Sequence, residues 1–110
     1  MLSKKDIIVI NKDHHTGKFS NESSLDFAVS QVQRSKNWLK TAAILSRAIL
    51  IDHVFEDGNK RTAAGVIAGV MEMNNMKYNP GKIDQIVIQI AKENITSIKQ
   101  IEKVILRGRE

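Results

Sequence analysis

The stretch Trp38–Asn75, WLKTAAILSRAILIDHVFEDGNKRTAAGVIAGVMEMNN, decides how the rest of the chain is read. Its first part carries Trp38, Leu39, Ala42, Leu45, Ile49 and Leu50 at helical spacing, which predicts a helix ending near His53. Its last part predicts a second helix through KRTAAGVIAGVMEMNN, with Asn59 as a favourable N-cap. That helix carries Ala63, Ala64, Gly65, Ala68 and Gly69. Small side chains let a neighbouring helix come close, so it is expected at the centre of the fold. Between the two lies VFEDG, too polar and too close to a glycine to continue either helix.

Outward from this pair the spacing stays helical. Ser3 followed by Asp6 resembles a capping box ahead of Ile7, Ile8 and Ile10. HHTGKFSN then breaks the pattern. Leu25, Ala28, Val29 and Val32 share one face of a further helix. YNPG reads as a turn. Ile83, Ile86, Val87 and Ile90 mark a fifth helix. Ser97 and Gln100 suggest a second capping box, opening a sixth with Ile101, Val104 and Ile105, and Gly108 suits its C-terminal stop. The fold expected is all-α: one domain over residues 1–110, a compact bundle of about six helices with a short flap before the second.

Length and composition set outer limits. The chain has 110 residues, which suggests a single domain. It contains no cysteine, so disulfides and thiolate chemistry are excluded. No apolar stretch reaches the ~18 residues a membrane span needs, and the apolar run near the N-terminus is too short for a signal peptide. The expected setting is the cytoplasm. The net charge of +5 favours an anionic partner. The cations are scattered, however, and no aromatic residue sits among them, which argues against nucleic acid.

The chemistry concentrates in HVFEDGNKRTA, His53–Ala63. The first turn of a helix has unpaired N–H groups and a partial positive charge, and anions bind there. Gly58 permits close backbone approach or a positive φ. Asn59 can donate, and Lys60 and Arg61 bring two cations to a helix end whose dipole favours acids. A polyphosphate satisfies that arrangement. Asp57 is placed to hold Mg²⁺, with Glu56 a weaker second carboxylate. His53 is suited to removing a hydroxyl proton. Each feature also has a plain structural reading: Asp-Gly as a turn, Asn as a cap, Lys-Arg as a solvated face, Phe55 as an anchor in the core.

This stretch resembles the loop motif of the Fic/Doc superfamily, H-x-F-x-[D/E]-[G/A]-N-[G/K]-R, at every defining position. LSKKDIIVINKDHHTGKFSNES and ITSIKQIEKVILRG also resemble the two ends of the short Doc (death-on-curing) toxins, so the likeness runs over nearly the whole chain. The resemblance implies a small all-α fold with the motif between two central helices. It implies that His53 is the base activating a target hydroxyl and that Phe55 pins the loop in the core. Asp57 would hold Mg²⁺. Gly58, Asn59 and Lys60 would line an anion hole, through backbone and side chain, and Arg61 would bind phosphate of ATP. Thr16, Gly17, Lys18 and Phe19 lie where the family has a flap that aligns the target peptide by strand addition. The bland alternative is an interhelix turn. His14 and His15 would be a metal pair only if they pointed the same way, which adjacent residues rarely do.

Fic enzymes read G-N-G-R-x-x-R and transfer AMP. Here Lys60 replaces the second glycine and Ala64 stands in place of the second arginine, as in the Doc pattern, which is associated with transfer of the γ-phosphate. The reading favoured is therefore phosphoryl transfer from ATP to a hydroxyl of a target protein, with AMP transfer as its alternative and a non-catalytic binding module as the third. A run of the form [S/T]-x-x-x-E-[G/N], which marks an inhibitory helix in Fic proteins, is not found. The resemblance then implies a separate antitoxin chain, and elongation factor Tu as the target.

Overall fold

The computed structural model describes residues 2–109. Among them are six helices: α1 (Lys4–Lys12), α2 (Glu22–Val32), α3 (Trp38–Ile51), α4 (Asn59–Met73), α5 (Pro80–Lys92) and α6 (Ile98–Arg109). The only β pairing among these residues is one antiparallel bridge between Phe19 and Phe55. The all-α bundle expected from periodicity is the fold observed, and a short irregular segment does precede α2.

The helices begin where short polar side chains can satisfy the first N–H groups. The Ser3 capping box forms in both directions: the Ser3 N–H donates to Asp6 Oδ2 (2.9 Å) and the Asp6 N–H to Ser3 Oγ (3.2 Å). Asn21, Asn37 and Asn79 cap α2, α3 and α5 through their side chains alone, each accepting from first-turn N–H groups. Asn79 is followed by Pro80, so YNPG is less a free turn than the start of a helix. At Ser97 the hydroxyl half of the expected box is made, with Gln100 N–H at 3.3 Å.

The helix at the centre is α3, not α4 as the small residues suggested. Thr41, Ala42, Ala43, Ile44, Leu45 and Ser46 are buried in unbroken succession. A helix buried all round lies inside the bundle, and α3 touches α2, α4, α5 and α6. The small residues of α4 serve a different neighbour. A Cβ on Gly65 would lie 2.7 Å from Ile10 of α1, so this glycine lets α1 close onto α4. Gly108 likewise does not stop α6. It lies within the helix, and a Cβ there would sit 2.3 Å from the buried Ile86 of α5.

The N-terminal cap makes a testable statement about pH. The Ser3 backbone N–H, and then its hydroxyl, hold the Asp6 carboxyl below its ordinary value of 3.8. A carboxyl with a lowered folded value stabilises the fold above its unfolded value, and that contribution is lost as the pH falls through the folded one. Ser3→Ala is expected to lower the urea midpoint at neutral pH. The gap to the parent protein should narrow below pH 3.8, as followed by helical circular dichroism.

Candidate active site

The site begins where α3 ends. Asp52 closes α3 by donating its N–H to Ala48 O (3.1 Å). His53 then takes a left-handed conformation, φ 52°. The exits of α4 and α5 use the same device at Asn75 (φ 56°) and Asn94 (φ 50°). Asparagine is a usual non-glycine residue for that conformation. Histidine in the third instance puts an imidazole at the turn. The turn then drives Val54 and Phe55 into the core, at 0% and 1% exposure, while His53 stays exposed.

Phe55 anchors the loop as the sequence implied. Its ring stacks on Phe19 at 5.3 Å between centroids. The segment ahead of α2 is laced to the same loop. Glu56 N–H donates to Lys18 O (3.0 Å), and Ser20 and Asn21 N–H both donate to Val54 O (2.8 and 3.0 Å). Of the segment Thr16–Phe19, expected to be a flap, Lys18 and Phe19 pair with the motif loop, while Gly17 is left-handed at φ 75° and bonds Asn11.

Asn59 departs from expectation. It is the first residue of α4, not its cap, and its side chain turns back onto the loop. Its Oδ1 accepts from Phe55 N–H (3.0 Å) and its Nδ2 donates to Phe55 O (2.9 Å), so each end of the amide helps close the loop. The N-cap is Gly58, at φ 78°, which offers no side chain to the helix. A left-handed cap suits glycine, and asparagine moves one place on.

The consequence is a helix start without a side-chain cap. Thr62 N–H makes the first helical bond, to Gly58 O (2.9 Å). The N–H groups of Asn59, Lys60 and Arg61 lie ahead of it. No acidic residue occupies this first turn. Lys60 and Arg61 are exposed and form no ion pair among the described residues. Gly58 N–H, expected in the anion hole, is held by Asp57 Oδ1 (2.9 Å).

His53, Glu56, Asp57, Gly58, Asn59, Lys60 and Arg61 line one cavity of about 690 Å³. That is within the ~300–1,000 Å³ of small-molecule sites. The rest of its lining is His15, Leu50 of α3, and Asp84, Val87, Ile88 and Ala91 of α5, so apolar side chains as well as charged ones face the cavity. Among the described residues no group of three or more potential metal ligands occurs. Mg²⁺ needs only one or two protein carboxylates when it arrives with phosphate oxygens and keeps most of its waters, and Glu56, Asp57 and Asp84 line this cavity. The Asp57 side chain is 81% exposed, which leaves room for such a hydrated ion.

Sequence reasoning overlooked one residue of this wall. In the sequence His15 carries no signal beyond its adjacency to His14, yet it lines the cavity. The two diverge: His14 lies 3.2 Å from Asp13, whereas His15 Nδ1 lies 3.2 Å from Asp57 Oδ2. The His15 ring packs directly on Gly58, where an added Cβ would come within 2.1 Å of Cδ2. The α5 wall was missed as a wall of the site, because its residues carry only a helical core signal. Compared with protein-family models, curated proteins and solved structures, the chain matches none of them.

Gly58 therefore answers to two constraints that a double-mutant cycle separates. Gly58→Ala is expected to cost about 1–2 kcal/mol for the left-handed backbone alone, plus the collision with His15. In a His15→Ala background the collision is gone, and the cost of Gly58→Ala should fall by about 0.5–3 kcal/mol, the usual size of a direct coupling. Urea unfolding of the four proteins measures both numbers. Equal costs in the two backgrounds would contradict the packing described.

Proposed function

We propose that the chain is an ATP-dependent phosphotransferase of the Fic/Doc type, acting on a hydroxyl side chain of another protein. The observation that carries the reading is convergence. An exposed histidine, an exposed carboxylate and an uncapped helix start flanked by Lys60 and Arg61 all line the same cavity. These are the parts that phosphoryl transfer requires, since its catalysis is largely positioning and charge stabilisation.

In the proposed reaction the target hydroxyl enters beside His53. Its oxygen bonds to the γ-phosphorus of ATP as the bond from that phosphorus to the β–γ bridging oxygen breaks. His53 takes the hydroxyl proton and ADP leaves. Asn59, Lys60 and Arg61 present backbone N–H groups, and the last two their side-chain cations, to the phosphates. Asp57 would hold Mg²⁺, which neutralises phosphate charge when bound. The apolar α5 wall offers a surface for the uncharged part of the nucleotide. The flap, already paired with the loop on one side, offers its remaining backbone groups to the target chain. Elongation factor Tu as substrate, a cytoplasmic setting and a separate antitoxin chain belong to the same proposal.

Labelled ATP tests it. The purified protein is incubated with host lysate or purified elongation factor Tu, with Mg²⁺ and ATP labelled in the α- or the γ-position. Phosphoryl transfer labels a protein band from γ only. His53→Ala should reduce that label by roughly 10²–10⁴-fold, the usual contribution of a general base. Label from α only would mean AMP transfer and would remove the branch assignment based on Lys60. No His53-dependent label from either position would contradict the enzyme reading.

A further inference from the structure

Two buried polar residues behind the loop were assigned no role by the motif. Asn11, near the end of α1, is 1% exposed, and Thr62, in the first turn of α4, is 0% exposed. Neither is left unsatisfied. Asn11 Nδ2 donates to Asp57 O (2.9 Å) and to Thr62 Oγ1 (3.0 Å), while Asn11 Oδ1 accepts from Gly17 N–H in the flap (2.9 Å). Thr62 Oγ1 donates in turn to Gly58 O (2.8 Å).

These bonds fall on two consecutive peptide units of the loop. No cis peptide is present among the described residues. In a trans peptide the C=O and the following N–H point in opposite directions. With Asp57 O drawn inward to Asn11, Gly58 N–H is turned outward. It is found there, bonded to the carboxylate of the exposed Asp57. With Gly58 O drawn inward to the Thr62 hydroxyl and N–H, Asn59 N–H is likewise turned out, ahead of the first helical bond.

We infer that Asn11 and Thr62 are positioning residues of the anion site: from behind the loop they fix two consecutive peptide planes, so that Asn59 N–H faces bound phosphate while Gly58 N–H stays on the Asp57 carboxylate. This rests on the proposed phosphate-binding reading. It adds the requirement that the cradle be preset from the far side by groups that never touch the ligand. Through Gly17, Asn11 also sets where the flap begins, so one buried amide holds α1, the flap and the loop in register. Preorganised donors bind an anion without a reorganisation cost, whereas a loop free to rotate its peptides must be ordered by the ligand.

Thr62→Val removes the hydroxyl and conserves the shape. Thr62→Ser keeps the hydroxyl. The probe is inorganic pyrophosphate with Mg²⁺, measured by calorimetric titration at a temperature where circular dichroism shows each protein fully folded. Thr62→Val should bind about fivefold more weakly, the worth of one net hydrogen bond, and Thr62→Ser should bind like the parent. Asn11→Ala gives a second reading and should weaken binding by at least as much, since it frees both the loop and the flap. Parent-like binding by Thr62→Val and Asn11→Ala would overturn the inference. So would equal weakening by Val and Ser, or no pyrophosphate binding by the parent protein. Pyrophosphate needs no transfer, so hydroxyl-dependent binding in a protein that labels nothing would remove the transferase reading and leave the positioning role standing.

Discussion

The site depends on the burial of Phe55. A side chain 1% exposed and stacked on Phe19 lies two residues from an exposed His53 and two from an exposed Asp57. The backbone carries Phe55 into the core and returns to the surface at Glu56 and Asp57 without forming a helix, with one bridge to Phe19 as its β pairing among the described residues. The left-handed turn at His53 starts the descent, and the Asn59 side chain, bracketing the Phe55 peptide from both sides, closes it. Losing the ring would release more than core area, because the flap is hung on the same segment through Val54 and Glu56. The ends of the loop and the flap stand or fall together.

That geometry leaves α4 with an unusual beginning. Elsewhere serine or asparagine caps the helices, and the first N–H groups find partners. At α4 the asparagine is committed to the loop, the cap is a glycine, and two cations follow where the dipole favours acids. As a matter of stability alone this is a poor helix start. It becomes intelligible if an external anion completes it, since a phosphate supplies both the missing acceptor and the missing charge. His15 and Asp57 lie against the same turn, so an arriving ligand meets a wall that is already ordered.

Periodicity carried the fold, because helices bury faces and faces repeat. It gave the six helices and placed the loop between α3 and α4. It misjudged which helix is central. Small residues on α4 signal close approach without saying by what, and the approaching helix is α1, whose Ile10 fills the space above Gly65. The central position of α3 lies in the buried run Thr41–Ser46, where Lys40 and Arg47 at its two ends obscure how apolar the stretch is. Asn59 and Gly108 were misread for a shared reason: residue preferences describe common uses. Local preference cannot see that Gly58 takes the cap, or that Ile86 needs the space beside Gly108. Asn11 was invisible altogether, because its partners Asp57 and Thr62 lie 46 and 51 positions away and no local pattern encodes them.

The central claim is that the start of α4 is a preset phosphate cradle with a histidine at its mouth. Amide chemical-shift mapping tests it most directly. The uniformly ¹⁵N-labelled protein is titrated with Mg²⁺–ATP, and the backbone resonances of Gly58, Asn59, Lys60 and Arg61 are followed with the side chain of His53. The account predicts saturable shifts centred on these four amides and on His53, extending to the α5 wall at Val87, Ile88 and Ala91. Shifts confined to scattered lysines, or a saturable site on another face of the bundle, would contradict it.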